Sequence, residues 1–323
     1  MSDAFEAERL ARRFYDPAHE GAQVRAVAGV ISDSALADLA GAGFRSVVVL
    51  IDDHLAHDAA ALAVTLLGPL PLPVVVARQL PSYVGALDVV LAVASHGESP
   101  DLERGLALAA GRGSVTVLAG PPEGPVPEDA PEDTARIPVL PGVTTRSPAR
   151  VAAAVLAVVQ SLSRTPDAIA GHLRTVADAI DHELEALSPE RDPLVNPART
   201  LLEGVQGRRV VHTGATPAGA AVARIAATLW TEEGLTSASL SDASALRPEQ
   251  EPDLFHDPYL DPEPAMLPLV LVLWDADPRA AAQGSRVLPQ SGDLDAAAEA
   301  ATSDTWSRSL GLVARAWVSA MFA

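Results

Sequence analysis

The chain has 323 residues, 48% of them hydrophobic, which is enough for a sizeable core arranged as two ordinary domains or one large one. A formal net charge of -19, with no basic stripe, sets it against nucleic-acid backbones. Cysteine is absent and all 23 basic residues are arginine, so disulfides, thiolate sites, Schiff bases and a lysine phosphate anchor are excluded.

The opening MSDAFEAERLARRF reads as a charged amphipathic helix rather than a signal peptide. No uninterrupted apolar stretch is long enough to span a bilayer, and a cytoplasmic location is expected. Four β-branched runs follow: SVVVLI at 46–51, LPVVVA at 72–77, DVVLAVA at 88–94 and SVTVLAG at 114–120. Between them, Ala/Leu-rich patterns predict helices over 58–67 and 102–112. Continuous apolar runs alternating with such helices predict buried parallel strands. From Gly120 to Gly142 proline and acid dominate, which predicts an extended surface loop. SPARVAAAVLAVVQSL then predicts an apolar helix over 147–162, with Ser147 as N-cap and Pro148 at the first helical position.

An amphipathic helix over 166–187 bridges to a second series. A strand is predicted at 208–212, a Gly-containing turn at 213–217, a helix over 218–230, and a buried strand within LPLVLVLWDAD at 267–277. The proline-rich acidic stretch 247–264 reads as loop, and a helix over 304–322 closes the series. The fold class is therefore α/β, with two subdomains, each a mainly parallel sheet flanked by helices. The expected boundaries are an N-terminal helix over 1–25, a first domain over 26–165, a helical linker over 166–200 and a second domain over 201–323.

Ligands of open parallel sheets bind beyond the carboxyl ends of the strands, where helix N-termini present unpaired N–H groups. Three turns hold that position. Asp52-Asp53-His54 carries two carboxylates and would repel a phosphate. In Ser95-His96-Gly97-Glu98-Ser99, Gly97 permits close backbone approach and Ser95 and Ser99 can donate hydroxyls; Ser99 equally suits an N-cap. Thr213-Gly214-Ala215-Thr216-Pro217 is small, uncharged and rich in hydroxyls, a better anion cradle by itself. For proton transfer the candidates are His96, His212, His256, Glu232 and Glu233. Spacing favours His96, whereas His212 reads as a core histidine. No H-x-x-x-H or G-x-S-x-G arrangement occurs, and neither metal nor cofactor is expected.

LDVVLAVASHGESPDLERGLALAAGRGSVTVLAG resembles the strand-turn-helix-strand core of sugar isomerase (SIS) domains, whose turn reads S-x-S-G-x-T and holds a sugar phosphate. IPVLPGVTTRSPARVAAAVLAVV and NPARTLLEGVQGRRVVHTGATPAGAAVARIAATLW resemble the following segment and the start of the second SIS domain in bifunctional phosphoglucose/phosphomannose isomerases. Aligning Gly97 with the family glycine places Ala94 and His96 at the two serines and Ser99 at the threonine. Arg146 falls at the family arginine and Glu232 approximately at the second-domain acid/base. His256 comes late for the family histidine, and the family lysine has no counterpart.

The resemblance implies two SIS-like subdomains, a homodimer and a small phosphosugar as partner, with no nucleic acid and no membrane. Ser95, His96, Gly97, Ser99, Thr213 and Gly214 would bind the ligand. If active, the chain would interconvert an aldose and a ketose phosphate. Arg146 would stabilise the enediolate, Glu232 would move the proton, and His256 is the remaining catalytic candidate. The altered motif positions imply an alternative, a non-catalytic sugar-phosphate-binding or regulatory protein that kept the fold and lost the chemistry.

Overall fold

The computed structural model describes residues 2–241, 268–274, 287–290 and 304–323. Helices α1 (Ser2–Phe14) and α2 (Glu20–Ser32) precede the first sheet. The chain then runs through β1 (Ser46–Ile51), α3 (His54–Leu67), β2 (Val74–Ala77), β3 (Asp88–Val93) and α4 (Pro100–Gly111). It continues with β4 (Val115–Gly120), a single turn α5 (Pro125–Glu128), β5 (Ala135–Pro138) and α6 (Pro148–Ser161). These five strands form one parallel sheet in the order β2-β1-β3-β4-β5.

Helices α7 (Pro166–Leu187) and α8 (Pro197–Val205) lead into the second sheet. Its elements are β6 (Arg209–Thr213), α9 (Pro217–Glu232), β7 (Ser237–Ser239), β8 (Leu269–Trp274) and β9 (Val287–Gln290), followed by α10 (Thr305–Met321). The described strands of this sheet are parallel, in the order β7-β6-β8-β9. The α/β class with two parallel sheets flanked by helices is thus as the sequence predicted.

Side chains of a strand alternate between faces, and β1 and β3 bury both. Val47, Val49, Ile51, Val89, Leu91 and Val93 face a large core shared with the second half. Val48, Leu50, Val90 and Ala92 face a smaller cluster under α4, with Leu102 and Leu106. That two-sided burial is why both strands read as unbroken apolar runs. Helix α6 is buried on all sides between the sheet, α2 and α3, which accounts for its lack of a polar face. Helix α7, expected as a linker, packs along α2 and α10. The large core also holds Val210, Val270 and Trp274 of the second sheet with Trp230 of α9.

The structure corrects several expectations. Residues 120–142 are not an extended loop throughout: they contain α5 and the edge strand β5, paired in parallel with β4. Only Ile137 of that strand is buried, so one apolar residue among prolines and acids carries the signal. An edge position also tolerates Pro138. Helix α3 begins at His54 rather than 58, because the Asp53 carboxylate accepts the Ala56 N–H at 2.9 Å and caps it. The predicted loop 247–264 lies outside the described residues. At α6 the prediction holds: Ser147 caps the helix through the Arg150 N–H at 3.1 Å, with Pro148 behind it. Among the described residues, no helix is long and apolar enough to cross a membrane.

Candidate functional site

The SHGES turn leaves the carboxyl end of β3 and enters α4, as the sequence indicated. Several of its donors are already taken, those of Ser95 by the neighbouring carboxylates. Both carboxylate oxygens of Asp52, at the end of β1, accept the Ser95 N–H at 3.0 and 3.1 Å. Asp52 also draws on the His96 N–H. The Ser95 hydroxyl donates to Asp53. Burial raises the Asp52 carboxyl above its ordinary range and the neighbouring Asp53 charge adds to this, with the Ser95 amide bond pulling the other way. The two carboxylates expected merely to repel a phosphate are bonded to Ser95 of the turn itself.

Gly97 does permit close backbone approach, but its visitor is the chain itself. A Cβ there would meet the Glu123 carbonyl oxygen at 2.8 Å, and the Gly97 carbonyl accepts the Val126 N–H at 2.9 Å. Gly124, with φ +113, makes the opposite side of this contact. Ser99 occupies the N-cap position, yet its hydroxyl makes no cap bond; its N–H donates instead to Glu103 Oε1 at 3.3 Å. His96 is exposed. The ligand-binding assignment of His96, Gly97 and Ser99 therefore finds no open cradle in this turn.

Arg146 and Glu232 do come together. Arg146 lies in the loop before α6, Glu232 ends α9, and Arg146 Nη2 donates to Glu232 Oε1 at 2.7 Å. This bond holds the guanidinium above its ordinary pKa, against the opposing pull of burial. Two acids at a helix C-terminus oppose the helix dipole, and arginines offset both: Arg146 pairs with Glu232, and Arg13 of α1 pairs with Glu233. These four residues rim a cleft of about 290 Å³ between α1, α9 and α10, together with Arg12 and Asp16. Leu229 and Trp317 contribute apolar surface to it. Arg146 also lines a close-packed crevice with Asp53, Ser95 and Ser147, so Ser95 adjoins the cleft through Arg146.

The loop carrying Arg146 is clamped from α2 and the turn preceding it. Asp16 accepts the Thr144 N–H at 3.0 Å, Gln23 donates to the Thr144 carbonyl at 3.0 Å, and Glu20 accepts the Ala149 N–H at 2.8 Å. On the other side the Thr145 hydroxyl donates to the Ser95 carbonyl. Glu20 is buried, which raises its pKa to about 7. Arg150 lies wholly inside, donates to the Thr145 carbonyl at 2.8 Å, and is lowered to about 10 by desolvation. Sequence reasoning missed this clamp, although Asp16, Glu20 and Gln23 fall at helical spacing on one face.

The second-half turn is closed as well. A Cβ on Gly214 would lie 2.0 Å from the Gly219 carbonyl carbon, and one on Gly219 2.0 Å from the Trp274 carbonyl oxygen. Thr216 caps α9 through the Gly219 N–H at 3.0 Å, and Thr213 is buried. Gly214 thus makes room for the first turn of α9, Gly219 for the contact of α9 with β8, and Thr213 and Gly214 do not line the Arg146 cleft. His212 is a core histidine: its Nδ1 accepts from Trp274 Nε1 at 2.9 Å, and burial depresses its pKa to about 3. His256 lies outside the described residues.

No family model and no curated protein matches this sequence. The solved structure of tagatose-6-phosphate ketose/aldose isomerase from Escherichia coli superposes on 95% of this chain and 91% of its own, with a TM-score of 0.63 at 15% identity. The C-terminal domain of glucosamine-fructose-6-phosphate aminotransferase from Francisella tularensis covers 97% of this chain and 94% of its own, with a TM-score of 0.60 at 13% identity. The chain has the SIS fold. The match runs through both halves, and the Arg146 cleft sits where the two halves of this SIS fold meet, beside the turn that ends β3.

Proposed function

We propose that the chain is a sugar-phosphate-binding protein of SIS fold that does not isomerise its ligand. The observation that carries this reading is the self-occupied start of the SHGES turn: the Ser95 amide serves Asp52 and the Ser95 hydroxyl serves Asp53. A phosphate entering there would have to displace two carboxylates of like charge. The ligand instead meets Arg146, with Arg12 and Arg13 nearby, in the adjoining cleft. The fold neighbours act on or make sugar phosphates by name, which supports this ligand class.

Loss of isomerase chemistry follows from the same geometry. Arg146 and Glu232, the expected enediolate stabiliser and acid/base, are bonded to each other at 2.7 Å, and a ligand that takes Arg146 for its phosphate leaves that guanidinium no role at an enediolate. The finer expectations, glucose or mannose 6-phosphate as ligand and a cytoplasmic homodimer, belong to this proposal.

The test is a coupled isomerase assay on the purified chain with glucose, mannose and tagatose 6-phosphates, run beside thermal shift. Stabilisation without turnover is the expected result; a tenfold excess over Kd already contributes about 1.4 kcal/mol. Turnover that Arg146→Ala abolishes would restore the isomerase. The absence of both turnover and stabilisation would overturn the sugar-phosphate reading.

A further inference from the structure

The rim of the cleft carries three guanidinium groups, Arg12, Arg13 and Arg146, and three carboxylates, Asp16, Glu232 and Glu233. Two of the cations are bound to two of the anions across the seam between the halves. The pairs are partly exposed, with side-chain exposures of 34% for Arg146 and 43% for Glu232, so a ligand can reach them.

This arrangement constrains what binds well. A ligand bearing only a phosphate takes Arg146 from Glu232 and leaves that carboxylate unpaired beside a new negative charge. A ligand bearing only an ammonium group strands the arginines in the same way. A phosphate on Arg146 then faces the released Glu232 carboxylate, and an ammonium on Glu232 faces the released guanidinium; like charges a few ångströms apart oppose binding even at a partly exposed rim. A ligand with both charges exchanges partners without stranding either: its phosphate goes to the guanidiniums and its ammonium to the carboxylates. We propose that the cleft selects a sugar phosphate that also carries a free amino group. This rests on the sugar-phosphate reading above and adds the second charge to it.

The cleft residues divide the work. Arg146 and Arg13 receive the phosphate. Glu232 and Glu233, adjacent at the end of α9, receive the ammonium group. Leu229 and Trp317 offer apolar contact to the sugar ring. The clamp from Asp16, Gln23 and Glu20 keeps the Arg146 loop in place while its side chain changes partner.

The experiment is isothermal titration of the full chain at neutral pH with glucosamine 6-phosphate, glucose 6-phosphate, N-acetylglucosamine 6-phosphate and glucosamine. The expected order places glucosamine 6-phosphate about tenfold tighter than the two phosphates lacking a free amine, a gap of ~1.4 kcal/mol. Glucosamine alone is expected to be weakest. A Glu232→Gln, Glu233→Gln double variant is expected to abolish the gap, read as the ratio of two Kd values. Raising the pH until the amine of the ligand loses its proton is expected to close the gap in the unaltered chain. If all three phosphates bind equally, the amino-group inference is overturned and the sugar-phosphate reading stands. If none of the phosphates binds, both fall. A gap that survives in the double variant would overturn the assignment to Glu232 and Glu233.

Discussion

Arg146 and Glu232 stand 86 positions apart in sequence and 2.7 Å apart in space, one from each half of the molecule. Their bond is on the rim of the cleft and partly exposed. Exposed pairs contribute little to stability, typically about 0–1 kcal/mol. Arg146→Ala is therefore expected to leave urea unfolding within about 1 kcal/mol of the unaltered chain. It should also abolish stabilisation by sugar phosphates in thermal shift. A large loss of stability, or an undiminished ligand response, would contradict the place given to Arg146.

Asp52 and Asp53 are expected to suppress anion binding at the SHGES turn. Replacing both by serine removes the two charges and keeps an N-cap hydroxyl at position 53 for α3. The Ser95 and His96 amides then become available to an outside anion. Titration with inorganic phosphate should stabilise the double variant more than the parent chain. An identical response in the two proteins would show that the carboxylates do not guard the turn.

Two buried groups give the stability profile opposite slopes. Glu20 titrates at about 7 in the folded chain against an ordinary 4.5, so the folded state holds an extra proton between those values. Stability contributed by this group falls as pH rises through that window. His212 is lowered to about 3 from an ordinary 6.5, so the unfolded state holds the extra proton there, and stability falls as pH drops from 6.5. From 4.5 to 6.5 the two effects oppose each other. Glu20→Gln keeps an acceptor for the Ala149 N–H and is expected to remove the first slope, leaving stability rising from acid towards pH 6.5. The upper bound of the change is on the order of 3 kcal/mol. Denaturant midpoints measured from pH 4 to 8 test this; parallel curves for the two proteins would exclude Glu20 as the source.

Gly219 tests the close contact at the second-half turn. An added methyl would lie 2.0 Å from the Trp274 carbonyl oxygen, a backbone atom held in β8. Gly219→Ala is therefore expected to cost about 2 kcal/mol or more in urea unfolding, with no ligand involved. A change near zero would mean that α9 and β8 can separate freely there.

Much of the fold was legible because burial leaves patterns. Strands β1 and β3 are covered on both faces and appear as unbroken apolar runs. Helix α6 announces itself by Ser147, Pro148 and a body that is apolar from Val151 to Val159. Strand β5 was hidden because Ile137 is its one buried side chain, and β7 because Ser237–Ser239 is short and polar. At the site, Arg146 and Glu232 were reached through the family resemblance; nothing local in either segment says that the end of α9 meets the loop before α6. The sequence marked Asp52 and Asp53 as two carboxylates beside a candidate turn. It gave no sign that they reach across to Ser95, since that depends on β1 and β3 being neighbours in the sheet. Gly97 and Gly214 were read as room for a ligand, whereas each makes room for backbone from another loop or helix.

The apolar core common to both sheets has a mechanical corollary. Val47 of the first sheet and Val272 of the second belong to one continuous cluster, so neither half can move far without disturbing the other. The charged pairs cross the same boundary only at its wet margin. A small ligand seated there would act as a clasp on a joint that is already stiff. Its binding would register as added resistance to separation of the halves rather than as a swing of one half against the other.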